Sequence, residues 1–180
     1  MIDETRIIAQ LKDESQKECA FSILVHEYQE ALYWQIRRLV LTHEDADDVL
    51  QNTFLKAWMA LDEFRAESKI STWLFRIAIN ESLSLLEKKK RSTDITSDPD
   101  EFLASQLLAD RYFDGDETQA LLQEAIAQLP EKQRAVFNLK YFQEMKYEDM
   151  SQILGTSIGA LKASYHHAVK KITDFFQKND

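Results

Sequence analysis

Apolar side chains return at three- and four-residue spacing along most of this chain, and the 3.6-residue period predicts helices rather than strands. Amphipathic patterns run through Ile7–Leu11 and Ala20–Leu41. A third begins after Thr42-His43-Glu44-Asp45, where Thr42 is placed to cap a helix and Asp45, three residues on, resembles the reciprocal half of a capping box. There Ala46, Val49, Leu50, Thr53, Phe54, Ala57, Trp58 and Leu61 form the expected core face, and Asp47, Asp48, Gln51, Asn52 and Leu55 fall on other faces. Phe64–Ile70 reads as a loop and Ser71–Lys90 as a further helix, with Trp73, Leu74, Ile77, Ala78 and Leu85 as its core candidates. Near the end, the pattern gives a short helix over Tyr147–Leu154, a Gly155–Thr156 turn and a longer helix that starts at Ser157. Two helices on a tight glycine turn can present the second one to a DNA major groove.

That last helix divides cleanly when 100° is placed between successive residues. Leu161, Tyr165, Ala168, Val169, Ile172 and Phe176 fall with Ile158 in a sector of roughly 100°, the width of a core-facing stripe. Gly159, Ala160, Ala163, His167 and Lys170 lie opposite. Small residues let a backbone approach a groove, and Lys162, Lys170 and Lys171 supply charge for phosphates. No acid occurs between Ser157 and Thr173. Ser157 is a good N-cap, and the amides behind it can hold a phosphate. A plain amphipathic hairpin with no DNA role has the same periodicity.

Composition agrees with an all-α chain. Three glycines and two prolines in 180 residues leave little turn punctuation. One cysteine, Cys19, excludes an internal disulfide, and its place in an amphipathic stretch reads as a small buried residue. The opening MIDETRIIAQ has neither a basic stretch nor an apolar core of the kind that marks a leader, and no apolar run approaches bilayer length. The expectation is a soluble cytoplasmic protein that does not insert in a membrane.

A formal charge of −9 argues against nucleic-acid binding until its distribution is seen. Ser92–Glu117 holds eight acids against one base, Arg111, a balance of −7 that leaves only −2 for the rest of the chain. With Pro99, Gly115 and a Ser/Thr/Asp cluster, this stretch reads as a linker, within which Phe102–Leu108 is a candidate short helix. The expected organisation is two small helical domains, residues 1–91 and 117–180, joined by an acidic linker over 92–116.

Chemistry of the enzymatic kind finds little support. His43, Glu44, Asp45, Asp47 and Asp48 crowd a helix start, where the macrodipole favours acids, and consecutive residues point different ways. No second cluster completes a metal ligand set, and His166 and His167 lie about 100° apart on one helix. With no phosphate loop, nucleophile elbow or paired catalytic carboxylates, no catalytic residue, metal or cofactor is expected. Bases and aromatics do gather elsewhere. Phe64, Trp73 and Phe75 stand among Arg65, Lys69 and Arg76, and aromatics beside bases can stack on unpaired nucleotides while cations follow the backbone. Asn80 and Ser84 add a small polar face suited to a flipped base. The competing reading makes Trp73 a core residue. Lys88-Lys89-Lys90-Arg91 is either a solvated helix end or a phosphate patch.

Three stretches together resemble the sigma-70 superfamily, specifically its small extracytoplasmic-function sigma factors that contain only regions 2 and 4. They are Asp45–Trp58 (DADDVLQNTFLKAW), Phe64–Asn80 (FRAESKISTWLFRIAIN) and Leu129–Ile172, and with their flanks they cover nearly the whole chain outside the linker. The resemblance implies that Asp47, Asp48, Gln51, Asn52 and Leu55 dock on the clamp helices of the largest subunit of core RNA polymerase. It implies that Phe64–Ile70, with Arg65 and Lys69, and Trp73, Arg76 and Asn80 lie where the promoter −10 element is melted and read. Ser157–Lys171 becomes the −35 reading helix, with Ser157, Gly159, Ala160, Lys162, Ala163, His166, His167 and Lys170 as its DNA-facing set. Many relatives carry Ser-Arg where this chain has Ala163-Ser164, and Arg at His167 and Val169. With fewer guanidinium groups to read guanine, Lys162, His166, His167 and Lys170 become the default candidates. Core polymerase, promoter DNA and an anti-sigma factor are the implied partners. The alternative is a stand-alone helix-turn-helix regulator whose first block binds a ligand or dimerises.

Overall fold

The computed structural model describes residues 3–92 and 117–179, all the elements of which are helical. Residues 93–116, which hold most of the acidic stretch and the helix expected at Phe102–Leu108, lie outside the described residues. The chain divides into two compact units, residues 1–84 with 152–155 and residues 85–151 with 156–180.

In the first unit, helix α1 (Glu4–Leu11) starts at Asp3, whose carboxylate accepts the Arg6 N–H at 3.2 Å, and it buries Ile7 and Leu11. Asp13 then ties a turn together by accepting from the Ser15 amide and hydroxyl and from Gln16. Helix α2 (Lys17–Val40) sinks Ala20, Leu24, Leu32, Ile36 and Leu39, and α1 and helix α3 (His43–Met59) both pack on it. At its end Leu41 takes a left-handed φ of 75°, which directs the chain into Thr42. The Thr42 hydroxyl caps α3 by accepting the Asp45 N–H at 3.3 Å and itself donates to the Asp45 carboxylate at 2.6 Å. Ala46, Val49, Thr53 and Ala57 form the buried stripe of α3, and a single 3-10 turn, Leu61–Glu63, follows. Helix α4 (Ile70–Ser92) runs slightly past the expected bounds at both ends, burying Ile70, Trp73, Leu74, Phe75, Ala78 and Ile79.

The second unit takes the end of α4 from Leu85 together with α5 (Glu117–Ala127), α6 (Glu131–Tyr141), the start of α7 (Tyr147–Leu154) and α8 (Ile158–Asn179). Helices α5 and α6 both pack on α8, enclosing Ala125, Ile126, Leu129, Phe137, Ala168 and Ile172. Phe137 lies at its centre, stacked on Tyr141 at 5.1 Å and on Tyr165 at 5.8 Å. Pro130 separates α5 from α6 and stands at the first cap, where a missing N–H costs nothing. The buried Arg134 guanidinium donates to the Leu129 carbonyl at 3.2 Å, so this interior cation serves the same turn.

Several expected core positions lie elsewhere. Cys19 is exposed, because α2 turns the neighbouring Ala20 inward and leaves Cys19 outside. Trp58 is 36% exposed; its ring meets Phe21 edge-on with centroids 5.1 Å apart, and Lys17 Nζ lies 5.7 Å from its centroid. Ile77 and Leu85 are only half-buried. Val169 is 38% exposed, although its angle placed it in the core stripe. The residues of α8 that are buried, Leu161, Ala168 and Ile172, centre about 60° from Ile158, and Val169 lies about 80° from that centre on the far edge.

Candidate nucleic-acid interface

The C-terminal part of the chain carries the helix pair that the spacing predicts. Helix α7 covers Tyr147–Leu154, Gly155 turns the chain at φ +61°, and α8 begins at Ile158 with Ser157 in front of it. Nothing stands within 4 Å of a Cβ built on Gly155, so the left-handed backbone is the reason for glycine here. The Ser157 hydroxyl accepts the Ala160 N–H at 3.3 Å, and Ser151 donates to the Thr156 carbonyl at 2.7 Å, which fixes the turn from both sides. Ser157, Gly159, Ala160, Lys162, Ala163, His166, His167 and Lys170 are all exposed. Gly159, Ala160, Lys162, Ala163, His166, His167 and Lys170 share the side of α8 that faces away from Leu161, Ala168 and Ile172, and Ser157 stands at the N-terminal end of the helix. Lys171 is also exposed, but its ammonium donates to Gln133 Oε1 at 3.1 Å and is partly committed to α6.

Sequence reasoning missed what lies at one end of this face. The Tyr147 ring has Lys140 Nζ at 5.0 Å and Lys162 Nζ at 5.7 Å from its centroid. Three helices contribute to that cluster, and sequence spacing within one helix cannot report it. Burial, followed by the proximity of Tyr147 and Tyr141, pushes the Tyr165 phenol above its ordinary range and keeps it neutral beside the core.

In the first unit the −10 candidates separate into a buried pair and an exposed set. Phe64 and Trp73 are buried against one another, ring centroids 4.9 Å apart, and Phe75 is buried as well. The expectation of exposed aromatics in this loop is therefore corrected: Ile70, Trp73 and Leu74 anchor the start of α4, and Phe64 closes over Trp73. Arg65, Lys69, Arg76 and Asn80 are exposed. Ala66 holds a φ of 57° between Arg65 and Glu67. A left-handed alanine costs roughly 1–2 kcal/mol, which the anchored ends of the loop must sustain. Lys88, Lys89, Lys90 and Arg91 are exposed at the end of α4, with Arg91 3.6 Å from Glu87.

The polymerase candidates lie on α3. Asp47, Asp48, Gln51, Asn52 and Leu55 are exposed along the outer face of α3, turned away from Ala46, Val49, Thr53 and Ala57. Met59, one turn beyond Leu55, is 74% exposed on the same side and was not singled out by its spacing. His43 uses both ring nitrogens locally, Nδ1 with the Tyr33 hydroxyl at 2.8 Å and Nε2 with Asp47 at 3.2 Å. Among the described residues no three His, Cys, Asp or Glu side chains gather closely enough to hold a metal ion.

Two family models match the chain, sigma-70 region 2 over residues 24–92 and sigma-70 region 4 over residues 119–172. Among curated proteins, RNA polymerase sigma-H factor of Pseudomonas aeruginosa is 34% identical over 167 residues, covering 88% of this chain and 86% of that one. ECF RNA polymerase sigma factor SigW of Bacillus subtilis is 30% identical over 156 residues, covering 82% and 83%. Among solved structures, the sigma factor RpoE of Bartonella quintana, in complex with the anti-sigma factor NepR, matches with a TM-score of 0.70 and 25% identity over 87% of this chain and 96% of that one. CnrH, solved with the cytosolic domain of CnrY, shares the fold at a TM-score of 0.74 and 24% identity, over 98% and 99%.

Proposed function

This chain belongs to the sigma-70 family of RNA polymerase sigma factors, in the extracytoplasmic-function group, and from that premise we propose how its parts divide the work. As a sigma factor it directs promoter-specific transcription initiation with core RNA polymerase. Residues 1–91 form the block that binds core polymerase and opens −10 DNA, 92–116 are an acidic linker, and 117–180 read the −35 element. The observation that carries this reading is the separation of two unlike outward faces: acids, amides and Leu55 on α3, and an acid-free run of lysines, histidines and small residues on α8.

On α3, Asp47, Asp48, Gln51, Asn52 and Leu55 dock on polymerase, Leu55 as the apolar anchor and the polar groups as its surround. On the loop and α4, Arg65, Lys69 and Arg76 follow the backbone of the opened strand, and Asn80 supplies a polar contact to a displaced base. Phe64 and Trp73 act beneath them as the support that sets the loop. On α8, Gly159, Ala160 and Ala163 permit close approach to the major groove. The Ser157 end, Lys162 and Lys170 take phosphates, and His166 and His167 lie where base edges are read.

We read the chain as a non-catalytic, cytoplasmic subunit. Among the described residues no helix is long and apolar enough to cross a membrane. An anti-sigma factor is the further partner proposed, by likeness to the RpoE that was solved with NepR. The stand-alone regulator is set aside because it gives the first block no reason to resemble sigma-70 region 2. Titration of duplex promoter DNA with the full-length protein, with and without core polymerase, separates the two. A sigma factor binds strongly only with polymerase, whereas tight binding by the chain alone on a palindromic site would support the regulator.

A further inference from the structure

Tyr147 opens α7, and its half-buried ring is where lysines from α6 and α8 converge. Lys140 Nζ at 5.0 Å and Lys162 Nζ at 5.7 Å from the ring centroid both fall inside the range of about 6 Å for a cation–π contact. Lys140 is additionally anchored, donating to the Met145 carbonyl at 3.2 Å. Lys162 is exposed in the opening turns of α8. Like charges drawn to one ring repel each other, and a polyanion laid beside them relieves that repulsion. A free lysine also gives up much of its rotamer freedom when it is fixed on a phosphate, and a ring that already restrains it lowers that loss.

We propose that Tyr147 is a positioning residue for promoter binding: its ring, steadied by Lys140, holds the Lys162 ammonium ready for a backbone phosphate of the −35 duplex. The inference rests on the assignment of α8 to −35 reading. Neither Tyr147 nor Lys140 belongs to the reading face itself, so their effect passes through Lys162.

The test uses core polymerase reconstituted with the full-length protein, titrated with a duplex bearing a promoter from which that holoenzyme initiates, over a series of KCl concentrations. Tyr147→Phe retains the ring and the wild-type affinity. Tyr147→Leu flattens the slope of log K against log salt by about 0.9, the value for one lost phosphate contact on duplex DNA. In a Lys162→Met background Tyr147→Leu has no further effect. A wild-type slope in Tyr147→Leu, or a full additional loss on top of Lys162→Met, overturns the inference alone, because a tyrosine that only supports the fold does not change how many counterions are released. Should Tyr147→Leu not fold, pentafluorophenylalanine at position 147 keeps the ring's shape and weakens its hold on cations; a flattened slope supports the inference and a wild-type slope overturns it. A holoenzyme that initiates from no promoter overturns the −35 assignment, and the inference with it.

Discussion

Tyr28 illustrates how single residues bind the first unit together. Its phenol is pushed up to about 12, chiefly by burial and then by the carboxylates of Glu4 and Glu27, and hydrogen bonds to Ser71 and Glu4 hold it. The fold therefore favours the neutral phenol. Below about pH 10 both folded and unfolded chains keep that proton, and this group makes stability independent of pH. Between about pH 10 and about 12 the unfolded chain ionises first, so its contribution is lost as pH rises. Melting temperatures across that window should fall more steeply for the wild type than for Tyr28→Phe, and parallel curves would contradict the assignment. Sequence could not show this contact, because Glu4, Tyr28 and Ser71 come from three helices. The same limit hid Trp58 and Cys19. Residue type says that an indole or a thiol prefers burial, but only the neighbours actually present, Phe21 and Lys17 for Trp58 and nothing enclosing for Cys19, decide it.

At the scale of elements, most of the architecture was legible. Three- and four-residue spacing located α2, α3, α4, α7 and α8 within a few residues, and Thr42, Gly155 and Ser157 marked ends that the structure confirms with hydrogen bonds or backbone angle. Periodicity gives the direction of a stripe less well than its presence, as Val169 shows: a stripe's centre is fixed by which helices pack there, and α5 and α6 approach α8 from the Leu161–Ala168–Ile172 side. The face of α3 was legible because burial there leaves so little choice. Its outward residues make a direct prediction. Asp48→Lys combined with Gln51→Ala should weaken binding to core polymerase at least tenfold, about 1.4 kcal/mol, as measured by fluorescence titration. Because both side chains are exposed, the melting transition should shift by no more than about 0.5 kcal/mol. A large loss of stability would make them structural residues, and unchanged affinity would remove them from the docking surface.

For the whole molecule, charge distribution is what reconciles an acidic chain with DNA binding. The net −9 is concentrated between Ser92 and Glu117, while α8 carries no acid until Asp174. Cations on α8 are few compared with those a stand-alone DNA binder needs, since each phosphate contact adds only one increment to a salt-dependent affinity. Under the proposed assignment affinity is shared: polymerase contacts through α3, strand contacts around Arg65 and Arg76, and duplex contacts along α8 would each supply part. The outward faces of α3 and α8 were legible in the sequence, but the burial of Phe64 with Trp73 and the pairing of Tyr147 with its lysines were not, because these are tertiary pairings. The most direct test of this account is transcription from genomic DNA by core polymerase with and without the purified full-length chain, with the 5′ ends of the products mapped. The account predicts a defined set of start sites that appears only when the chain is present, each preceded by common sequences at −10 and −35. Identical start sites with and without the chain, or no association of the chain with core polymerase, would contradict it.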